Sequence, residues 1–348
     1  MNYCFNPHCD QPTNPEGVNF CLNCGANLLL KERYRSIKLI GKGGFGRTFL
    51  AVDEDKPSKP FCVIKQFYTQ SSGNDTLQKA IQLFNQEAIR LDELGTHPQI
   101  PELLAYCTQE DRQYLVQEFI NGLNLGQELV QNGAFTEDKI RQLLIDLLPV
   151  LQFCHQHQVI HRDIKPENII RRTSDNKLVI VDFGAAKSTT GETGNRTGTS
   201  IGTPEYVAPE QMRGKAIFAS DIYGLGVTCI NLLTGRSPFD CYYSHEATWI
   251  WRKFLKTPIT DDLGQIIDKM IATIPSQRYQ TVTDVIEDLK LHSTSTTSPI
   301  FIKNTVNIPT TIISPPKPQA PTSKNYPHVP DIIDQELAEI KSKFLDNG

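Results

Sequence analysis

The alternation of apolar and polar positions in the first third of the chain predicts a small β-sheet with one inserted helix. Segments 34–40, 47–53 and 60–68 are rich in β-branched and aromatic residues, which is typical of strands. Polar residues Glu110 and Asp111 separate two further apolar segments and predict a hairpin. Between these pairs, apolar residues recur at helical spacing, at Ile81, Phe84, Ala88, Leu91 and Leu94.

Helical spacing dominates after residue 126. Thr136 is a predicted N-cap for a helix with an apolar face formed by Ile140, Leu143, Leu144, Leu147, Leu148 and Leu151. Further helices are predicted within 219–234, 246–255, 262–273 and 282–291. The change from strands to helices near 120–124 predicts an α+β fold with a sheet-rich and a helix-rich half.

The two ends of the chain have a different texture. Residues 1–30 are too few to bury a core of their own. Segment 292–330 holds eight of the 22 prolines among many Ser and Thr, which predicts an extended linker. Segment 331–348 places Ile333, Leu337, Ile340 and Phe344 on one helical face. It is interpreted either as a short amphipathic helix that docks on a partner or as a fraying tail.

Charge and hydropathy exclude several classes of protein. The 348 residues include 35 Lys and Arg against 39 Asp and Glu, a formal net charge of −4. This near-balance argues against a protein that coats nucleic acid or anionic lipid. No apolar run reaches about 18 residues, so we expect no membrane span. The N-terminus has no basic segment followed by an apolar one, which predicts a cytoplasmic protein in a reducing compartment.

Four of the nine cysteines fall within the first 24 residues, as the pairs Cys4–Cys9 and Cys21–Cys24. Four thiolates at this spacing predict a structural Zn²⁺ site in a ribbon-like module over residues 1–30, which should not fold without its metal. Free or disulfide-linked cysteines and bound iron are the alternatives, and His8 is a possible substitute ligand for Cys9. No Arg or Lys precedes Lys31, which favours a protein-docking or regulatory module over a nucleic-acid one. Clustered thiolates also suggest redox sensing.

A glycine-rich segment lies between the first two long predicted strands, at Gly41, Lys42, Gly43, Gly44, Phe45 and Gly46. Glycines allow backbone N–H groups to approach a phosphate. The flanking strands disfavour a dinucleotide fold, which needs a helix after the turn, and a P-loop needs Ser or Thr after its Gly-Lys pair, where this chain has Gly43. Lys65 on the next strand is either a solvated lysine or a phosphate ligand. Glu87 is either a surface carboxylate or the ion-pair partner of Lys65.

Three more specific motifs follow in order. HRDIKPEN spans residues 161–168, DFG spans 182–184, and GTPEY at 202–206 precedes APE at 208–210. With these motifs the chain resembles the eukaryotic-type (Hanks-type) protein kinases over residues 34–291. The resemblance implies a bilobal fold, with an N-terminal lobe over about 34–120, a C-terminal lobe over about 124–291, and ATP between them. The cysteine module ahead of it resembles that of a group of cyanobacterial serine/threonine kinases.

The resemblance implies a role for each residue of the site. Lys65 would hold the α- and β-phosphates, while Asp182 and Asn168 would bind Mg²⁺ or Mn²⁺. Asp163 would accept the proton of the substrate hydroxyl, and Lys165 would neutralise the γ-phosphate. Further positions complete the expected site: Gln117 as gatekeeper, Glu118 and Ile120 at the hinge beside adenine, a structural pair of Arg278 with Glu210, and Asp221 beneath the catalytic loop.

Lys165 and the GTPEY motif imply Ser/Thr hydroxyls of proteins as acceptors. Val63 and Thr48 depart from the family pattern near adenine without removing a charge. Autophosphorylation is predicted at Thr197 or Thr199, with Arg162 pairing with the new phosphate, and this reaction would involve a transient dimer.

Two other interpretations of the sequence remain open. In one, the chain is a nucleotide-binding scaffold that does not transfer phosphate. In the other, the ribbon and the tail define the biology by recruiting docking partners.

Overall fold

The computed structural model describes residues 1–43, 46–68, 74–185, 187–188, 204–243 and 245–293. The chain divides into two compact units, Met1–Thr297 and Ser298–Gly348, and the described residues all belong to the first. The predicted C-terminal segment 331–348 and nearly all of the predicted linker therefore lie outside them. None of the described helices is both long enough and apolar enough to cross a membrane.

The sheet-rich half comprises these strands and one helix: β1 (Asn2–Tyr3), β2 (Thr13–Asn14), β3 (Leu29–Leu30), β4 (Tyr34–Gly43), β5 (Gly46–Asp53), β6 (Phe61–Phe67), α1 (Asn74–Leu94), β7 (Leu103–Gln109) and β8 (Arg112–Glu118). Six of the strands form one antiparallel sheet in the order β3-β4-β5-β6-β8-β7. The predicted strands, hairpin and helix of this half are confirmed.

The two faces of this sheet have different neighbours. Because side chains alternate along a strand, Phe49 and Ile64 lie on one face and Thr48 and Lys65 on the other. We call the first the outer face and the second the cleft face. The outer face carries its own apolar core, formed by Phe5, Leu30, Tyr34, Phe49, Ala51, Cys62, Ile64, Tyr114 and Val116.

The N-terminal 30 residues are built onto the outer face. Strands β1 and β2 pair with each other, whereas β3 pairs with β4 and so extends the larger sheet. Phe5 is 3% exposed and belongs to the core of the outer face. Part of the segment therefore shares the core of the sheet, while Cys4, Cys21 and Leu28 form a small buried cluster within it.

The helix-rich half follows in chain order: β9 (Gly122–Asn124), α2 (Leu125–Asn132), α3 (Glu137–Gln156), β10 (Val159–Ile160), β11 (Ile169–Arg172), β12 (Leu178–Ile180), β13 (Lys187–Ser188), α4 (Pro209–Met212), α5 (Phe218–Thr234), β14 (Tyr242–Tyr243), β15 (Thr248–Trp249), α6 (Asp261–Met270) and α7 (Val282–Ser293). Helix α5 is buried along most of its length and packs on α2, α3 and α6. Thr136 caps α3 as predicted, since its side chain accepts a hydrogen bond from the Lys139 N–H. This division into halves is consistent with the predicted two-lobed fold.

The helix predicted within 246–255 is wrong. The segment instead forms β15 and a single 3₁₀ turn over Trp251–Phe254. Trp251 is buried in the large core of the helical half, and its indole N–H donates to Asp268 Oδ1 at 2.9 Å. Tertiary anchoring of this tryptophan overrides the helical spacing of the apolar residues.

Candidate active site

Lys65 is the centre of an ion-pair cluster on the cleft face. Its Nζ lies 2.5 Å from Glu87 Oε1 on α1 and 2.9 Å from Asp182 Oδ1, which follows β12. The cluster therefore joins the sheet, helix α1 and the helical half. Burial disfavours the charged lysine, but the two carboxylates outweigh it and hold the pKa of Lys65 above its ordinary value. The attraction of Lys65 in turn lowers the pKa of Asp182 to about 2.

The backbone places these groups for physical reasons. Glu87 lies on the α1 face that also carries buried Leu91 and Leu94, so its carboxylate points inward and is only 6% exposed. Asp182 has φ of 68°, a left-handed conformation that turns the chain sharply at the end of the strand. A Cβ on Gly184 would lie 3.1 Å from Glu87 Oε2, so glycine there allows the close approach of the two elements.

The catalytic loop predicted at 161–168 forms a compact hydrogen-bonded turn. Asn168 Nδ2 donates to the Asp163 carbonyl and to Asp163 Oδ2, each at 2.9 Å. Lys165 Nζ lies 2.9 Å from Asp163 Oδ2. A carboxylate, an ammonium and an amide therefore converge at one point near the chain reversal at Arg162, where φ is 72°.

Asp221 supports this loop from beneath, as predicted. Its carboxylate accepts the backbone N–H groups of His161 and Arg162 at 2.9 and 2.8 Å. His155 Nε2 lies 2.9 Å from Asp221 Oδ2. The His161 ring packs on Phe183, and its Nε2 donates to the Val181 carbonyl at 3.2 Å. The loop is thus tied both to helix α5 and to the segment that links β12 to Asp182.

The glycine-rich segment is described only in part. Gly41, Lys42 and Gly43 end β4 and Gly46 begins β5, with Gly43 opposite Gly46, whereas Gly44 and Phe45 lie outside the described residues. A Cβ on Gly46 would lie 2.7 Å from the Gln66 carbonyl. Glycine is therefore required there because the β6 backbone passes so close.

The predicted hinge begins in the last residues of strand β8. Gln117 pairs with Val63 and Glu118 with Cys62 in the sheet. Ile120 is 5% exposed, and Gln117 is buried with an Oε1 that has no hydrogen-bond partner among the described residues. The structure thus places Glu118 and Ile120 at the junction between the sheet-rich and helix-rich halves.

The predicted pair of Arg278 and Glu210 is present in the helical half, at 2.7 Å. Arg278 also donates to the carbonyls of Ala219 and Ala272, so this fully buried guanidinium is well satisfied. The predicted phosphorylation sites Thr197 and Thr199 lie outside the described residues.

The four N-terminal cysteines come together. The Sγ atoms of Cys4, Cys9, Cys21 and Cys24 all lie within 4.8 Å of one another, with Cys4 to Cys24 at 3.5 Å and Cys9 to Cys21 at 3.6 Å. Zn–S bonds of about 2.3 Å in a tetrahedron correspond to sulfur–sulfur distances of about 3.8 Å. The Asn6 backbone N–H donates to Cys4 Sγ at 3.3 Å, as expected for a thiolate ligand. The donor set fits a zinc ion.

Sequence reasoning missed the residues that join this module to the sheet. Phe5, Arg47, Gln66 and Tyr114 form a buried cluster on the outer face. The available signal was alternation: Arg47 and Gln66 stand one position from Thr48 and Lys65 and must face the opposite side.

A lysine held by two carboxylates beside glycine-rich strands, together with a turn that joins Asp163, Lys165 and Asn168, is typical of the class of proteins that transfer phosphoryl groups. Comparison with known families supports this class: the protein kinase domain model matches residues 34–290. The chain belongs to the protein kinase family, and it shares the Hanks-type serine/threonine kinase domain of its bacterial relatives.

Several curated relatives are named serine/threonine-protein kinases. Serine/threonine-protein kinase B of Synechocystis sp. is 42% identical over 84% of this chain and 52% of the relative. PknA of Nostoc sp. is 41% identical over 76% of this chain and 48% of the relative. PrkC of Bacillus subtilis is 32% identical over 75% of this chain and 40% of the relative. The chain thus spans about half the length of these two cyanobacterial relatives, and the prediction of a serine/threonine kinase domain is confirmed.

Proposed function

We propose that the chain transfers the γ-phosphate of ATP to Ser and Thr hydroxyls of proteins. The observation that carries this proposal is the contact of Lys65 with both Glu87 and Asp182. This contact joins the strand beside the glycine-rich segment to the loop that would hold the metal. In the proposed domain layout, the kinase domain spans 34–291 and the cysteine module precedes it over 1–30. A linker follows over 292–330, and a short amphipathic helix or tail over 331–348.

The proposed reaction is an in-line displacement at the γ-phosphorus. The substrate hydroxyl oxygen bonds to phosphorus, its proton goes to the Asp163 carboxylate, and the bond to the bridging oxygen of ADP breaks. Lys165 stabilises the charge on the transferred phosphoryl group, and its contact with Asp163 supports this position. Lys65 orients the α- and β-phosphates, and Gly41 to Gly46 cover them.

Mg²⁺ or Mn²⁺ would be held by Asp182 and Asn168, whose oxygens suit a hard cation, and would neutralise phosphate charge. The Lys65 ammonium lowers the pKa of Asp182 to about 2, so this carboxyl is ionised and has oxygens to offer a cation. Adenine would lie beside Glu118 and Ile120, where the two halves of the domain meet. Zn²⁺ would be held by Cys4, Cys9, Cys21 and Cys24 as a structural ion that fixes the fold of the module.

The experiment is a transfer assay on the full chain with ATP labelled at the γ-phosphate, Mg²⁺ and a general acceptor protein. Acid hydrolysis of the products identifies the acceptor residue. We expect label on phosphoserine and phosphothreonine. Label on phosphotyrosine alone, or tight ATP binding with no transfer, would contradict the proposal, and the second result would support the nucleotide-binding scaffold.

Activation by phosphorylation at Thr197 or Thr199, through a transient dimer, is part of the proposal. The supporting observation is Arg162, whose buried Nε has no hydrogen-bond partner among the described residues. A phosphate dianion is a suitable partner for such a guanidinium. Substitution of both threonines by Ala should lower the transfer rate, whereas Thr193→Ala serves as the matched control. Full activity of the double variant would refute these sites.

A further inference from the structure

Arg47 and Gln66 occupy adjacent positions on the outer face of the sheet. They pair directly across β5 and β6, just as Thr48 and Lys65 do one position further on. Arg47 follows Gly46, which ends the glycine-rich segment, and Gln66 follows Lys65. Each is therefore bonded through the backbone to a residue of the proposed nucleotide site.

One carbonyl of the N-terminal module binds both side chains. The Phe5 carbonyl accepts a hydrogen bond from Arg47 Nη2 and another from Gln66 Nε2, the latter at 2.9 Å. Gln66 Oε1 accepts from Arg47 Nε at 2.9 Å and from Nη2 at 2.6 Å, and Gln66 Nε2 also donates to the Tyr114 hydroxyl at 2.8 Å. The network is closed, since every one of these side chains bonds to another member.

The network depends on the presence of the module. Arg47 is only 6% exposed, and its partners in the described part of the chain are neutral oxygens and the face of the Phe49 ring. A buried charge without full hydrogen bonding is costly, so withdrawal of the Phe5 carbonyl forces Arg47 to move toward solvent. The Phe5 ring, which packs edge-on against Phe49 and Tyr114, would leave a cavity as well.

Movement on the outer face is transmitted to the cleft face by tight backbone packing. A Cβ on Gly46 would clash with the Gln66 carbonyl at 2.7 Å, so no free space separates the end of the glycine-rich segment from β6. A shift of Gln66 therefore shifts Gly46 and Lys65 together.

We propose that Arg47 and Gln66 are positioning residues, through which the N-terminal module holds the glycine-rich strands and Lys65 in the geometry that binds nucleotide. The inference rests on the proposed function, because it assigns these strands to ATP. The module thereby sets nucleotide affinity without touching the nucleotide.

The test compares two arginines that both hold the module. Arg47→Met removes the donors near the glycine-rich segment. Arg35→Met is the matched control, because Arg35 donates to the Val18 carbonyl at 2.9 Å and to Asn19 Oδ1 at 3.0 Å but lies at the far end of β4. Calorimetric titration with Mg·ADP and steady-state kinetics are run on the full chain of each variant.

We expect Arg47→Met to raise the Kd for ADP and the KM for ATP roughly tenfold, with kcat and the KM for acceptor protein changed less than about twofold. Arg35→Met should leave the nucleotide constants within about twofold of the unmodified chain. Arg47→Lys, which keeps the charge and one donor toward Phe5, should restore part of the affinity. It also serves as the test variant if the Met variant does not fold.

Three results would overturn the inference. The first is equal nucleotide affinity in the Arg47 variants and the unmodified chain. The second is an equal loss in the Arg35 control, which would indicate only general destabilisation. The third is an unmodified chain that binds no Mg·ADP, and this result alone would also overturn the proposed function.

Discussion

Strands β5 and β6 carry a cation on each face of the sheet, and the two are held in different ways. On the cleft face, Lys65 contacts two carboxylates, Glu87 and Asp182. On the outer face, Arg47 contacts the neutral oxygens of Gln66 and Phe5. The arrangement around Lys65 is an ion-pair cluster within the kinase domain. The arrangement around Arg47 instead depends on the Phe5 carbonyl, an acceptor that belongs to the N-terminal module.

The difference indicates what each face can control. Charged partners fix Lys65 strongly and leave it suited to bind phosphate. A neutral carbonyl holds Arg47 only while the module is in place. We therefore expect the geometry of the proposed nucleotide site to depend on the module. Substitutions on the cleft side should therefore affect transfer most, and changes on the outer face should act mainly on nucleotide affinity.

The largest effect is expected at the catalytic loop. Asp163→Asn removes the proton acceptor but keeps a similar shape, so the transfer rate should fall by a factor of about 10²–10⁴. Mg·ADP affinity, measured by calorimetry, should change little. A matched control is Asp175→Asn, because this exposed aspartate pairs with Arg172 away from the loop. Wild-type turnover in the Asp163 variant would rule out its catalytic role.

A smaller loss is expected when the cluster around Lys65 is weakened. Glu87→Gln leaves Lys65 with Asp182 as its remaining carboxylate partner, and kcat/KM for ATP should fall roughly ten- to a hundredfold. Glu93→Gln on the same helix is the control, since Glu93 pairs with Arg90 near the surface. If both glutamines behave alike in steady-state assays, the cleft-face cluster has no special role.

Metal removal tests the contacts of the outer face from the side of the N-terminal module. Phe5 directly follows Cys4, so loss of Zn²⁺ should release the Phe5 carbonyl and raise the KM for ATP about fivefold. Elemental analysis measures zinc, and kinetics in excess Mg²⁺ measures the KM before and after a zinc-selective chelator.

Cys24→Ser should reproduce the effect of the chelator. Cys107→Ser is the control, because Cys107 lies in β7 and outside the four-cysteine cluster. The link between metal and nucleotide would be contradicted if the chain contained no zinc when purified from zinc-supplemented cells. It would also be contradicted if removal of zinc left the KM for ATP unchanged.

The smallest effect is expected at the edge of the outer-face network. Tyr114→Phe removes one acceptor from Gln66 while the Phe5 carbonyl stays, so the free energy of unfolding should fall by about 1 kcal/mol. The KM for ATP should rise less than about threefold. Chemical denaturation and kinetics check both values, and a rise as large as that of Arg47→Met would mean that Tyr114, not Phe5, anchors the network.

Much of the kinase domain was predictable because local patterns and global fold agree there. Alternation predicted β4 to β8, and apolar spacing predicted α1, α3, α5, α6 and α7. The sequence left Glu87 as either a surface carboxylate or the ion-pair partner of Lys65, and the structure brings the two groups together. The cysteine spacing likewise anticipated the sulfur cluster, because a metal site requires its ligands to meet.

The remaining features could not be predicted, because they depend on contacts between segments that are distant in the sequence. Nothing in the spacing of residues 1–30 indicates that Phe5 enters a core 42 residues further along the chain, where Arg47 lies. The same reason explains the error at 246–255, where the burial of Trp251 determined the conformation. Periodicity reports which face of an element is apolar, but it does not identify the surface that covers that face.

The pairing of β3 with β4 has a consequence for truncated chains and for the inheritance of the module. A chain trimmed to the family match at residue 34 would lose β3 and leave the edge of β4 open to pairing with another molecule. It would also expose the apolar cavity on the outer face that the Phe5 side chain fills. We therefore expect the module and the kinase domain to be inherited together. A module taken from another protein would fit only a domain with matching side chains on its outer face.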